Sequence, residues 1–158
     1  GFCLSNRGQM FWLDENSPAC IGPKRRPRTT LSPSLALKDG EPYMVFGTPG
    51  GDQQDQWSLH LFLRHVHFGL NLQEAIDAPG FSTAHFPNSF YPRETDIGHL
   101  ALEGRFPKET IEALVKKGHK VSVDTDWSLG RMTAASKNNE ILKAAANPRF
   151  MQGYAIGR

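Results

Sequence analysis

Two stretches of this 158-residue chain carry residue types that could do chemistry. The first is FGTPGGDQQDQ, residues 46–56, with three glycines and a proline between an apolar run and a helix-like stretch. Gly50 and Gly51 can take φ values closed to other residues, and Pro49 fixes its own. A strand that turns this way into a helix can aim successive N–H groups at one spot, and the helix dipole adds to the field there. Such a nest suits a phosphate or the oxyanion of an acyl-transfer intermediate. Phosphate is the weaker guest: the Lys-Ser/Thr ending of a P-loop is missing, and Asp52 and Asp55 would repel it. A plain turn with glycine for close packing accounts for the stretch equally well. The second stretch is GPKRRPRTT, residues 22–30, where prolines stiffen a basic loop and Thr29 and Thr30 offer hydroxyls to a pocket.

The remaining candidates are weaker. The six histidines are scattered, and His65 and His67 are two apart, which puts them on different helix faces. Ser32 and Ser34 have no evident base. Cys3 and Cys20 are too few for a disulfide framework and lack a metal-ligand spacing. Cys3, in the apolar run GFCL, is expected to be a buried free thiol. No metal and no cofactor is expected. The formal net charge is +2, and one basic loop without interleaved aromatics argues against nucleic acid. With 39% hydrophobic residues and no run near membrane-span length, the chain reads as one globular domain without a membrane span.

The elements that must position these residues follow from periodicity. GFCLSN and QMFWL read as short strands about a turn at Gly8. Residues 31–47 form a hairpin about Asp39-Gly40. Apolar residues at helical spacing predict a helix after the glycine turn, with Asp52 as N-cap and Gly69 as stop. NLQEAIDAP is a second, short helix begun by Asn71. Residues 80–94 read as extended chain and loop. A helix from Pro107 to Gly118 precedes the strand KVSVD, and a last hairpin turns at Asn138-Asn139. Hairpins imply antiparallel pairing with helices over a sheet face, so the fold class expected is α+β.

In order, GFCLSNRGQMF, GPKRRPRTTLSPSLALKDGEPYMVFGTPGGDQQDQ, NLQEAIDAPGF and AAANPR resemble the C-terminal part of the small subunit of the γ-glutamyltranspeptidase family, within the N-terminal-nucleophile (Ntn) hydrolases. The resemblance covers nearly the whole chain. It implies part of an αββα sandwich with antiparallel sheets, made by autoproteolysis of a precursor whose large subunit is the partner. It implies a small-molecule amide substrate, attacked by the Thr at the new N-terminus of the small subunit, which also serves as base. By the same resemblance Gly50 and Gly51 supply the oxyanion hole, and Thr29 and Thr30, where typical members have serines, hold the donor's α-carboxylate.

Residues 1–158 are therefore expected to be one domain, a piece of a longer polypeptide with its nucleophile upstream of Gly1. Thr29, Thr30 and Thr48 cannot replace that nucleophile. γ-Glutamyl-specific members carry NNQMDDF where this chain has SNRGQMF. Met10 takes the place of the acid that holds the donor's ammonium, and Arg7 replaces a glutamine. This version resembles the acylase and amidohydrolase branch, and Arg7 becomes a candidate substrate-binding residue for a carboxylate. The competing reading pairs Arg7 with Asp14 or Glu15. Two other functions stand beside acyl transfer: a phosphate- or nucleotide-binding module built on GTPGG, and a non-catalytic relative.

Overall fold

A computed structural model describes residues 1–151 and 153–157. The hairpin expected at Asp39-Gly40 is present: β1 (Ser34–Lys38) and β2 (Glu41–Gly47) turn at Asp39 and Gly40, both at positive φ. Helix α1 (Gln54–Val66) and helix α2 (Leu72–Asp77) follow. Asn71 caps α2 in a reciprocal box: its Oδ1 accepts the Glu74 N–H at 3.0 Å, and Glu74 Oε2 accepts the Asn71 N–H at 2.8 Å. Next come β3 (Phe81–Thr83), β4 (His99–Glu103), α3 (Lys108–Lys116), β5 (Lys120–Asp124) and the closing hairpin of β6 (Thr133–Asn138) and β7 (Ile141–Ala146).

One sheet has the order β1-β2-β6-β7 and is antiparallel throughout. Gln54, Ser58 and Leu61 lie on one face of α1, at helical spacing, and are buried. Leu61 joins Met44, Leu72, Ala75, Ile76, Met132, Ala134 and Ala145 in the core between this sheet and α1 and α2. The opposite face carries Leu35, Val45, Ala135 and Ala144 in register across the four strands. Leu35 and Val45 are 60% and 49% exposed on it. A sheet apolar on both faces with helices on only one is a half-sandwich. The fold is α+β, as expected, with helices covering one face of an antiparallel sheet.

The second sheet, β3-β4-β5, has one antiparallel and one parallel pair, the latter joined through α3. Three local expectations are corrected. Around Gly8 there is no hairpin but a 3₁₀ turn, Arg7–Met10, because the chain closes Asn6–Gln9 and Gly8–Phe11 bonds and Gly8 stays out of the positive-φ region. Cys3 is exposed rather than buried, as are all of residues 1–6. Asp52 does not cap α1, which begins after a 3₁₀ turn at Gly51–Gln53.

Where the two sheets meet, Glu103 is fully buried. Its carboxylate accepts the N–H groups of Gly80, Ser128 and Leu129, the Nε and Nη2 of Arg149, and the Nη2 of Arg105, all at 2.6–2.9 Å. Burial alone would raise the Glu103 pKa. The donors, Arg149 first, outweigh burial and hold it at about 2. His60 is pushed the same way, from 6.5 to about 4, by burial and then by the Arg64 charge.

Both shifts weaken the fold in acid. An unfolded Glu103 takes its proton near 4.5 and the folded one only near 2, so its stabilisation is present above 4.5 and is lost as pH falls toward 2. An unfolded His60 protonates near 6.5 and the folded one near 4, so stability also falls across that window. Chemical denaturation at neutral pH should show Glu103→Gln destabilised by about 3–5 kcal/mol, since Arg149 is left buried without its counter-charge. In a pH series, His60→Leu should flatten the decline between 6.5 and 4. An unchanged slope there would mean that the folded state does not hold His60 neutral.

Candidate active site

The glycine turn is fixed from both ends and from below. Thr48 Oγ1 accepts the Arg131 N–H at 3.1 Å, and Asp52 Oδ2 accepts the Ser89 N–H at 2.6 Å. Between them Gly50 has φ 141° and Gly51 φ 60°. The Trp57 ring, one turn into the helical segment, lies under Gly50, where a Cβ would overlap it. Trp57 Nε1 donates to the Phe81 carbonyl at 3.0 Å, so the ring cannot easily step aside. Among the described residues, neither the Gly50 nor the Gly51 N–H donates to a protein carbonyl. Both stand without a main-chain acceptor at the start of a helical segment, whose dipole favours negative charge.

The basic loop comes alongside. Ser32 Oγ donates to Gln54 Oε1 at 3.0 Å, and Arg28 Nη1 donates to Ser89 Oγ at 3.1 Å. These bonds close a cleft of about 260 Å³ lined by Arg28, Thr29, Thr30, Gly51, Asp52 and Asp55, among others. Thr29 Oγ1 also accepts the Leu31 N–H at 3.1 Å, which orients its hydroxyl. Thr29, Thr30 and Gly51 thus share one cleft, with Gly50 behind Gly51 against Trp57.

Arg7 does not line this cleft. Its guanidinium lies over the Phe90 ring, 5.9 Å from the centroid, and a Cβ on Gly51 would lie 3.6 Å from that same ring. Arg7 makes no ion pair with Asp14 or Glu15; Asp14 instead accepts the Asn16 N–H. Met10 is buried. Arg28, Asp52, Asp55 and Ser89 line the cleft without having been singled out from sequence as site residues. Arg28 and Asp52 are the chain neighbours of Thr29 and Gly51, a signal that adjacency offered. Ser89 sits in an irregular loop, and nothing in its surroundings marks it.

The family model for gamma-glutamyltranspeptidase matches residues 1–157. The chain belongs to the γ-glutamyltranspeptidase family. It is 34% identical to the glutathione hydrolase-like YwrD proenzyme of Bacillus subtilis, over 99% of this chain and 29% of that protein. It is 36% identical to the oxamate amidohydrolase proenzyme of Klebsiella pneumoniae, again over 99% and 29%. A solved structure described as LmbA2991HD superposes with a TM-score of 0.91 at 52% identity, covering all of this chain and 28% of that one. The chain thus spans less than a third of the length of these γ-glutamyltranspeptidase relatives.

The turn makes an uneven prediction for its two glycines. Gly50→Ala must displace the Trp57 ring as well as strain the backbone, and should cost about 2 kcal/mol or more. Gly51→Ala meets only an ordinary contact with Phe90, so its positive φ should cost about 1 kcal/mol. Denaturation curves check the order; an equal loss at both positions would show that Trp57 does not brace the turn.

Proposed function

We propose that this chain is the C-terminal part of the small subunit of an Ntn amidohydrolase or acyltransferase. The observation that carries the reading is the pair of unengaged N–H groups at Gly50 and Gly51, next to the Thr29–Thr30 cleft. An upstream N-terminal Thr attacks the amide carbonyl carbon, and its own α-amine takes the hydroxyl proton. The carbonyl oxygen becomes an oxyanion held by the two glycine N–H groups. The C–N bond then breaks, the amine leaves with the proton, and the acyl group stays as an ester on the Thr. Water or an acceptor amine releases it. Each oxyanion donor contributes roughly two orders of magnitude in turnover.

The Thr29 and Thr30 hydroxyls hold the donor's carboxylate, and Arg7, in no ion pair with an acid among the described residues, presents a planar fork to that same carboxylate. The large subunit of the same precursor covers the open sheet face at Leu35 and Val45. The names of the relatives, glutathione hydrolase-like and oxamate amidohydrolase, support an amide as substrate. Asp52 and Asp55 in the cleft disfavour a phosphate.

The test uses the longer polypeptide and two anilides, glutaryl and γ-glutamyl, followed by aniline release. Thr29→Val with Thr30→Val keeps shape and removes both hydroxyls; KM should rise about tenfold with kcat little changed. An unaltered KM would remove the hydroxyl pair from the site. The glutaryl donor should be preferred, because an ammonium without a partner loses hydration at a cost of roughly a few kcal/mol. Arg7→Gln should narrow that preference, because it removes the positive charge that repels the ammonium. A wild-type enzyme that favours the γ-glutamyl donor would overturn the role given to Arg7.

A further inference from the structure

Ser89 lies in the long connection between β3 and β4 and is only 2% exposed. Its three polar groups engage two other segments and its own loop. The N–H donates to Asp52 Oδ2 at 2.6 Å, the Oγ accepts Arg28 Nη1 at 3.1 Å, and the carbonyl accepts Arg93 Nη1 at 2.6 Å. Asp52 directly follows Gly51, and Arg28 directly precedes Thr29. Arg93 in turn donates through Nη2 to the Phe11 carbonyl at 2.7 Å and stacks on Trp12, 4.5 Å from the ring centroid. The N-terminal segment that carries Arg7 is thereby tied to the same loop. Residues 21–33 contain no helix or strand, so no ladder fixes Thr29 and Thr30 in place. Among the described residues, the side-chain bonds from this stretch to the fold's body are Arg28–Ser89 and Ser32–Gln54.

We infer that Ser89 is a positioning residue: it sets the glycine turn and the Thr29–Thr30 segment at one spacing, acting through Asp52 on one wall and Arg28 on the other. The inference rests on the acyl-transfer reading of the cleft. An arginine tethered to a buried hydroxyl loses most of its rotamers, and the residue next to it inherits that rigidity. The two walls are held by different atoms of Ser89, so they can be loosened one at a time. Removing the hydroxyl frees the Arg28 wall, which faces the bound donor. Removing the Asp52 carboxylate frees the wall that would hold the oxyanion.

The experiment measures kinetics of the longer enzyme with the two anilides for Ser89→Ala, Ser89→Thr, Arg28→Leu, the Ser89→Ala/Arg28→Leu pair and Asp52→Ala. Ser89→Ala should raise KM about threefold to tenfold, with kcat changed less than about twofold. Ser89→Thr retains the hydroxyl and should restore the KM. The double variant should be no worse than Arg28→Leu alone, because both substitutions remove the same bond. Asp52→Ala should instead lower kcat more than it raises KM. Additive effects of Ser89→Ala and Arg28→Leu, or a joint loss of kcat and KM that tracks a fall in Tm, would overturn the inference. Should the wild-type enzyme turn over neither anilide, the acyl-transfer reading fails by itself. Amide hydrogen exchange then tests Ser89 directly: Ser89→Ala should speed exchange across residues 28–31, and unchanged exchange there overturns the positioning role.

Discussion

The Glu103 carboxylate is the interaction on which the rest of the structure depends. It lies where β4 ends and several connections cross, and no ladder continues there to satisfy their backbone groups. Gly80, Ser128 and Leu129 turn their N–H groups to its two oxygens. Arg149, itself 3% exposed, binds those oxygens and donates to the carbonyls of Ile76 and Ala78. The pair thus satisfies three backbone donors and two acceptors that water reaches poorly. A buried ion pair can often be replaced by apolar side chains with little loss. Here that exchange would strand four main-chain groups, each at a cost of roughly 1–3 kcal/mol, since the Ala78 carbonyl keeps a bond from Arg64.

This hub reaches the candidate site by chain adjacency. Leu129 is held by Glu103, Gly130 packs against the Trp57 ring, and the Arg131 N–H is held by Thr48 at the entrance to the glycine turn. Trp57 needs glycine at position 50, where a Cβ would overlap the ring; a Cβ at Gly130 would only touch it, and that position favours glycine through its φ of 85°. The indole ties down its far edge through the Phe81 carbonyl, in the strand that begins one residue after Gly80. The conformation of the GTPGG stretch therefore depends on packing set by a carboxylate that never meets the cleft.

Much of this was legible in the sequence, and the limits have physical causes. The hairpin at Asp39-Gly40 and the capped helix at Asn71 carry local signals, a positive-φ pair and a reciprocal cap, which no tertiary contact needs to rewrite. Likewise the order strand, glycine turn, helix is written in residues 41–66. Strand β4 was not, because HLALE is short and its parallel partner lies beyond a helix. Asp52 has the composition of an N-cap, yet a tertiary donor, the Ser89 N–H, takes its carboxylate. Glu103 looks like any surface acid until Arg149, 46 residues on, is brought against it. Thr29 and Thr30 stood out as hydroxyls beside a stiffened basic loop and took their role from resemblance, whereas Ser89 and Arg28 form a contact across 61 residues with no periodic trace.

The charges in the cleft decide between the guests that its N–H groups could accept. Arg28 brings one positive charge, and Asp52 and Asp55 bring two negative ones. At a separation of about 6 Å and an effective dielectric of about 20, two unit charges interact by roughly 3 kcal/mol. A phosphate dianion would meet that repulsion twice over from each aspartate, with one arginine to offset it. An oxyanion carries a single charge and exists only while the tetrahedral intermediate lasts, so its repulsion is half as large. Asp52 is further quenched by the short bond from Ser89, which leaves Asp55 as the acid free to oppose an anion. The same carboxylates that spoil a phosphate site are thus compatible with donors aimed at a transient charge.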